Sequence, residues 1–86
     1  MSDEKGELIG KITHYFGKIG VAVLELVDGD LKVGDTIKIE LHDGGFDQAV
    51  TSMQVDHQEV ATVKKGESVG LKVDQAVKEG AKVYKV

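Results

Sequence analysis

One seven-residue device occurs three times in this chain: an apolar residue, a lysine, a variable position, a glycine, two further positions and a second apolar residue. The copies are Leu31-Lys32-Val33-Gly34-Asp35-Thr36-Ile37, Val63-Lys64-Lys65-Gly66-Glu67-Ser68-Val69 and Val77-Lys78-Glu79-Gly80-Ala81-Lys82-Val83. Each reads as a tight turn opening straight into a strand, with the glycine supplying a left-handed backbone position. After the second copy, Val69, Leu71 and Val73 alternate with Gly70 and Lys72, the period-two signature of a strand with one face in a core. No helix separates the copies. The pattern predicts an all-β barrel or sandwich.

At 86 residues the chain makes one domain, burying about 60–65% of the surface its unfolded form exposes. With two Tyr, two Phe and no Trp, it cannot build an extensive base-stacking platform. The absence of cysteine excludes disulfides, thiolate metal sites and cysteine nucleophiles. There is neither a long apolar run nor a secretory pattern at the start, so the expected location is cytoplasmic, with no membrane contact. The net charge of −4 argues against a non-specific nucleic-acid coat protein. Charge is nevertheless uneven. Residues 1–63 hold five lysines against twelve acids, whereas residues 64–86 hold six against three.

Taken in order, residues 1–6 form a polar tail and 7–86 one barrel domain. The first strand runs from Glu7 to Tyr15, with Leu8, Gly10, Ile12 and His14 on one face and Ile9, Lys11, Thr13 and Tyr15 on the other. Gly17-Lys18-Ile19-Gly20 turns it into a second strand, Ile19–Leu26, whose near-continuous apolar run predicts burial on both faces. A third strand, Thr36–His42, turns Ile37, Ile39 and Leu41 inward. A fourth, Phe46–Val55, contributes Ala49, Met53 and Val55. Ser68–Val73 and Lys82–Val86 complete six main strands, an antiparallel, Greek-key-like barrel.

The order of motifs resembles the second domain of translational GTPases of the elongation factor Tu type. Gly17–Val23, the Leu31-Lys32-Val33-Gly34-Asp35 turn, Ser52–Val60 with its histidine, and Lys65–Val73 carry the likeness, and Val77-Lys78-Glu79-Gly80 matches the closing turn. The barrel is also similar to one that ends some collagenase-like peptidases acting in RNA-modification pathways. The first resemblance implies contact with tRNA, rRNA or the ribosome. The phosphate loop and base-reading segment of the GTPase are missing, so no GTP is bound. A lysine, Lys18, stands where the family carries arginine, giving a point charge in place of a bidentate contact.

The surface with most chemistry is the first hairpin, where His14, Tyr15, Phe16 and Lys18 are expected at one tip. There the rings would stack on a nucleotide or peptide; the structural alternative is a barrel-end plug with Phe16 buried. Lys64 and Lys65 flank a glycine turn whose amides could cradle phosphate, and Lys72 extends the basic surface. The carboxylate pairs sit in exposed turns and His14, His42 and His57 follow no ligand spacing, so no catalytic residue, metal or cofactor is expected. The leading expectation is a non-catalytic module contacting RNA or the ribosome; the alternative is a protein-interaction module docking on a peptidase-like or RNA-modifying enzyme.

Overall fold

The computed structural model describes residues 7–41 and 44–86; the expected 1–6 tail, His42 and Asp43 lie outside the described residues. Ten strands follow in order: β1 Glu7–Phe16, β2 Val21–Leu26, β3 Asp30–Lys32, β4 Thr36–Ile39, β5 Phe46–Ala49, β6 Met53–Val55, β7 Gln58–Glu59, β8 Thr62–Lys64, β9 Ser68–Lys72 and β10 Lys82–Lys85. Eight form one antiparallel sheet in the order β5-β4-β10-β1-β2-β9-β6-β7, and β3 pairs with β8. The sheet curls around one core, so the all-β, barrel-like class stands. Six expected strands become ten for three reasons. Phe46–Val55 breaks at residues 50–52, Gln58–Glu59 folds back on Met53–Val55, and the lead-ins of the first two devices pair with each other, Leu31 opposite Val63.

The three devices share one geometry. Asp35, Glu67 and Ala81 each donate their N–H to the carbonyl of the lysine three residues back, at 3.0, 3.0 and 3.1 Å. Gly34, Gly66 and Gly80 sit between with φ of 103°, 91° and 88°, the type II arrangement. Each glycine N–H then leaves the turn for another strand or its flank: Gly34 to the Val50 carbonyl, Gly66 to Leu26 and Gly80 to Ile12. In the first two copies the acid side chain closes the turn, Asp35 accepting from the Lys32 N–H and Glu67 from the Lys64 N–H. The apolar residues on either side, Leu31 and Ile37, Val63 and Val69, Val77 and Val83, are all buried.

Strand β1 departs from simple alternation. Ile9 is an extra residue against β10 and Thr13 an extra residue against β2. Each bulge rotates the side chains that follow it to the other face. Ile9, Gly10 and Ile12 are therefore buried and Tyr15 packs on the core, while His14 is exposed. The expected grouping of His14 with Ile12 fails for this reason. At Gly10 a Cβ would run into the Glu25 carbonyl of β2, so the strands cross too closely for any side chain there.

One further expectation is corrected at β5. Ala49 is exposed and Val50 is in the core in its place, while Val55 of β6, partly buried, packs against the core. The inward position before Val50 is filled by Gln48, buried beside the apolar core. Its Nε2 donates to the Lys72 carbonyl at 2.8 Å, and its Oε1 accepts from the Asp74 N–H at 2.9 Å. This amide ties the edge strand β5 to the end of β9. The core also draws Ala22, Leu24, Leu26, Met53 and Leu71 from the sheet's concave side. Strand β2 is thus buried on one face, not two: Val21, Val23 and Glu25 point the other way and are partly exposed.

One ion-pair network links the first device to the last strand. Lys85 Nζ lies 3.4 Å from Asp30 Oδ1 and 3.5 Å from Asp35 Oδ2. Burial alone would lower the Lys85 ammonium, but Asp35 and Asp30 outweigh it and hold the group above its ordinary value of 10.5.

Three outcomes follow from this architecture. Gly10→Ala should cost about 1–3 kcal/mol through overpacking, whereas Gly66→Ala, with open space around it, should cost about 1–2 kcal/mol through its backbone alone; urea titrations measure both. Gln48→Leu preserves volume but strands the Lys72 carbonyl and Asp74 N–H, and should cost about 1–3 kcal/mol by the same method. A raised lysine contributes stability in full below its unfolded value and loses it as pH rises through the folded one. Wild type should therefore lose more stability than Lys85→Met on titration above 10.5, a difference read by denaturation at matched alkaline pH.

Candidate functional site

The β1–β2 hairpin closes over Gly17–Gly20, with the N–H groups of Ile19 and Gly20 both donating to the Phe16 carbonyl at 3.2 and 3.0 Å. The Thr13 bulge sets which side chains reach its surface. His14 and Phe16 project together on the outer face, their ring centroids 6.3 Å apart and 26° from parallel. His14 Nδ1 also lies 3.5 Å from Glu79 Oε2. Tyr15 turns the opposite way and packs against the core. The plug alternative is reversed as well, because Phe16 is 50% exposed and Tyr15 does the inward packing.

The expected basic residues do not form one surface. Lys72 pairs with Val21 and so stands at the hairpin end of β2, the end to which exposed Lys18 also belongs. Lys64 and Lys65 belong to the turn whose Gly66 bonds to Leu26, at the other end of β2, about 17 Å away along the strand. Three amides of that turn are engaged. Lys64 N–H is taken by the Glu67 carboxylate at 2.8 Å, Gly66 N–H by Leu26 and Glu67 N–H by Lys64. An acid occupies the place where a phosphate would sit. His14 and His57 are carried by elements three strand spacings apart, about 14 Å, too far to share a metal. Among the described residues no group of three or more His, Cys, Asp or Glu is placed to hold a metal ion.

What the fold assembles instead is an apolar groove on the convex side of β2, β9 and β6, with a volume of about 350 Å³. Phe16, Ile19, Val21 and Val23 supply its apolar wall, Gly70 its floor and Gln54 its opposite side. Ile19 is 66% exposed. Asp56 and His57 form the far rim; they are the two central residues of the β6–β7 turn and hold φ of 53° and 65°. That is a type I′ hairpin built without glycine. Sequence reasoning passed over Val21, Val23 and Gly70, and weighed His57 only as a metal ligand and Asp56 only as a turn carboxylate. The available signal was the apolar run of β2, taken as two-sided burial when only one side meets this chain's core.

No protein-family model matches the chain. Over 77 residues it is 44% identical to an uncharacterized protease of Methanocaldococcus jannaschii, covering 88% of this chain and 19% of that protein. It is 32% identical over 78 residues to a collagenase of Porphyromonas gingivalis, covering 90% of this chain and 22% of that protein. The chain thus spans about a fifth of the length of these curated relatives. Two crystal structures of the C-terminal domain of a Geobacillus thermoleovorans protein classed as a U32 peptidase share its fold, each with a TM-score of 0.84. They are 18% and 16% identical, and cover 92% and 100% of this chain and 99% of that domain.

The chain is therefore homologous to a segment of these protease and collagenase relatives and shares the fold of the U32 C-terminal domain. This overturns the elongation-factor reading, and with it the translation and RNA-binding roles. The motifs that carried that likeness are accounted for by barrel construction. The Lys-x-Gly-acid turns engage their glycine and acid amides within the barrel, and the lysines assigned to one RNA face stand at two ends. The second resemblance, to the barrel of collagenase-like peptidases, is the one the relatives support.

Proposed function

We propose that this barrel is a non-catalytic protein-interaction module that docks on a peptidase-like enzyme. The observation that carries the reading is the 44% identity to a segment making up 19% of a protein named as a protease. Most of such a protein lies outside the barrel, and the barrel is the part this chain supplies. The side chains here suit binding better than bond cleavage. Asp56 and His57 are exposed on a turn, open to the water that a closed catalytic site excludes. The apolar groove has a polar rim, the anatomy of a protein interface. The strands hold that surface rigid, so little ordering is lost on association.

The reading is tested by calorimetric titration of the chain with the Methanocaldococcus jannaschii relative from which the matching 77 residues have been removed. A saturable complex is expected, with a heat-capacity change corresponding to about 1,200–2,000 Å² buried in total. The chain alone should leave casein and gelatin intact. Cleavage by the chain alone, or no complex with a folded peptidase region, would refute the proposal.

A further inference from the structure

We infer that the convex groove of β2, β9 and β6 is where the peptidase region seats, and that it seats there a run of aliphatic side chains crossing Gly70. The inference rests on the docking role above and adds the surface and the chemistry of its occupant.

The first observation is the composition of β2. Ala22, Leu24 and Leu26 fill the barrel core, yet Val21 and Val23 on the opposite face are also apolar. A strand apolar on both faces is one covered on both faces. This chain covers only one. The apolar character is local, since the neighbouring row across the same convex surface is Lys82, Lys11 and Glu25. Val21 and Val23 are joined instead by Phe16 and Ile19, which makes an apolar wall that ends across Gly70 at Gln54 of β6.

The second observation is Gly70, in mid-strand at the groove floor. Its φ is not positive, and an added Cβ would meet Gln54 O and Val21 Cγ1 at 3.5 Å, ordinary contact distance. Nothing in the barrel itself requires glycine there. A strand-interior glycine sacrifices stability and packing, and bare backbone is useful where another chain approaches closely. The third is the far rim. Asp56 and His57 both hold left-handed φ values, a strain of about 1–3 kcal/mol each that Asn-Gly would relieve. Keeping Asp and His places polar side chains beside the groove, while Lys18 and Lys72 stand on the hairpin side.

The occupant follows from what the relatives contain. About four-fifths of the protease and collagenase lies outside the matched segment, so the polypeptide available to cover an apolar barrel face is the peptidase region. A floor without a side chain, bounded by Val21 and Val23 on β2 and by exposed Gln54 on β6, accepts branched apolar chains along the β2 side and rejects charge there, because an unpaired charge buried against the valines would be desolvated.

The test grafts this chain into the Methanocaldococcus jannaschii relative in place of its matching segment and compares hydroxyl-radical labelling of side chains in the graft and the free chain. Labelling of Phe16 and Ile19 should fall several-fold in the graft, while exposed Val27, Val33 and Val86 keep theirs. Protection of Val27, Val33 or Val86 in place of Phe16 and Ile19 would overturn this face and leave the docking role standing. No protection anywhere would overturn both. Gly70→Ala in the free chain supplies a second readout, against the shortened relative as probe. Its melting temperature should hold or rise, yet affinity should drop about tenfold; undiminished affinity would sink the inference. A dimer of the free chain dispersed by Ile19→Ser would assign the face to a second copy and overturn it as well.

Discussion

A glycine N–H leaving its own turn to reach another strand or its flank is the interaction on which this barrel depends. Three such bonds, from Gly34 to Val50, Gly66 to Leu26 and Gly80 to Ile12, fix where each device docks. The type II turn directs the N–H outward only because its third residue has positive φ. The two apolar residues that bracket each turn then enter the same core. Local conformation and long-range position are thereby set by one residue. A small sheet with no helix to cover it needs such pins, since its core alone is modest for its size.

These devices were legible in the sequence because they are local. So was the inward face of β9, where Val69, Leu71 and Val73 alternate without interruption. What escaped sequence reasoning depended on partners distant in the chain. The Ile9 and Thr13 bulges are defined by β10 and β2 and leave no mark in β1 itself. Gln48 looks like an ordinary polar strand residue until Lys72 and Asp74 supply its partners. The site was misplaced for a related reason. Lysine counts show how much positive charge the last quarter carries, but not that β2 separates Lys64 and Lys65 from Lys72.

The mistaken likeness to a translation factor has the same origin. Gly-acid turns feeding alternating strands are what a small antiparallel barrel needs for closure, whatever it binds. Their order therefore reports architecture. What differs between such barrels lies in the outward positions, which on β2 are Val21, Val23 and Glu25, with Gly70 beside Val23 on β9.

The sheet's end strand β7 has only two residues, Gln58 and Glu59, both polar and exposed. So short an edge offers another chain almost no backbone ladder to extend. A domain that leaves an apolar face open to water would otherwise be prone to fibrillar self-association. Strand addition beside the groove is blunted by that abrupt end, which leaves the four-residue β5 at the far side as the longer edge of the sheet.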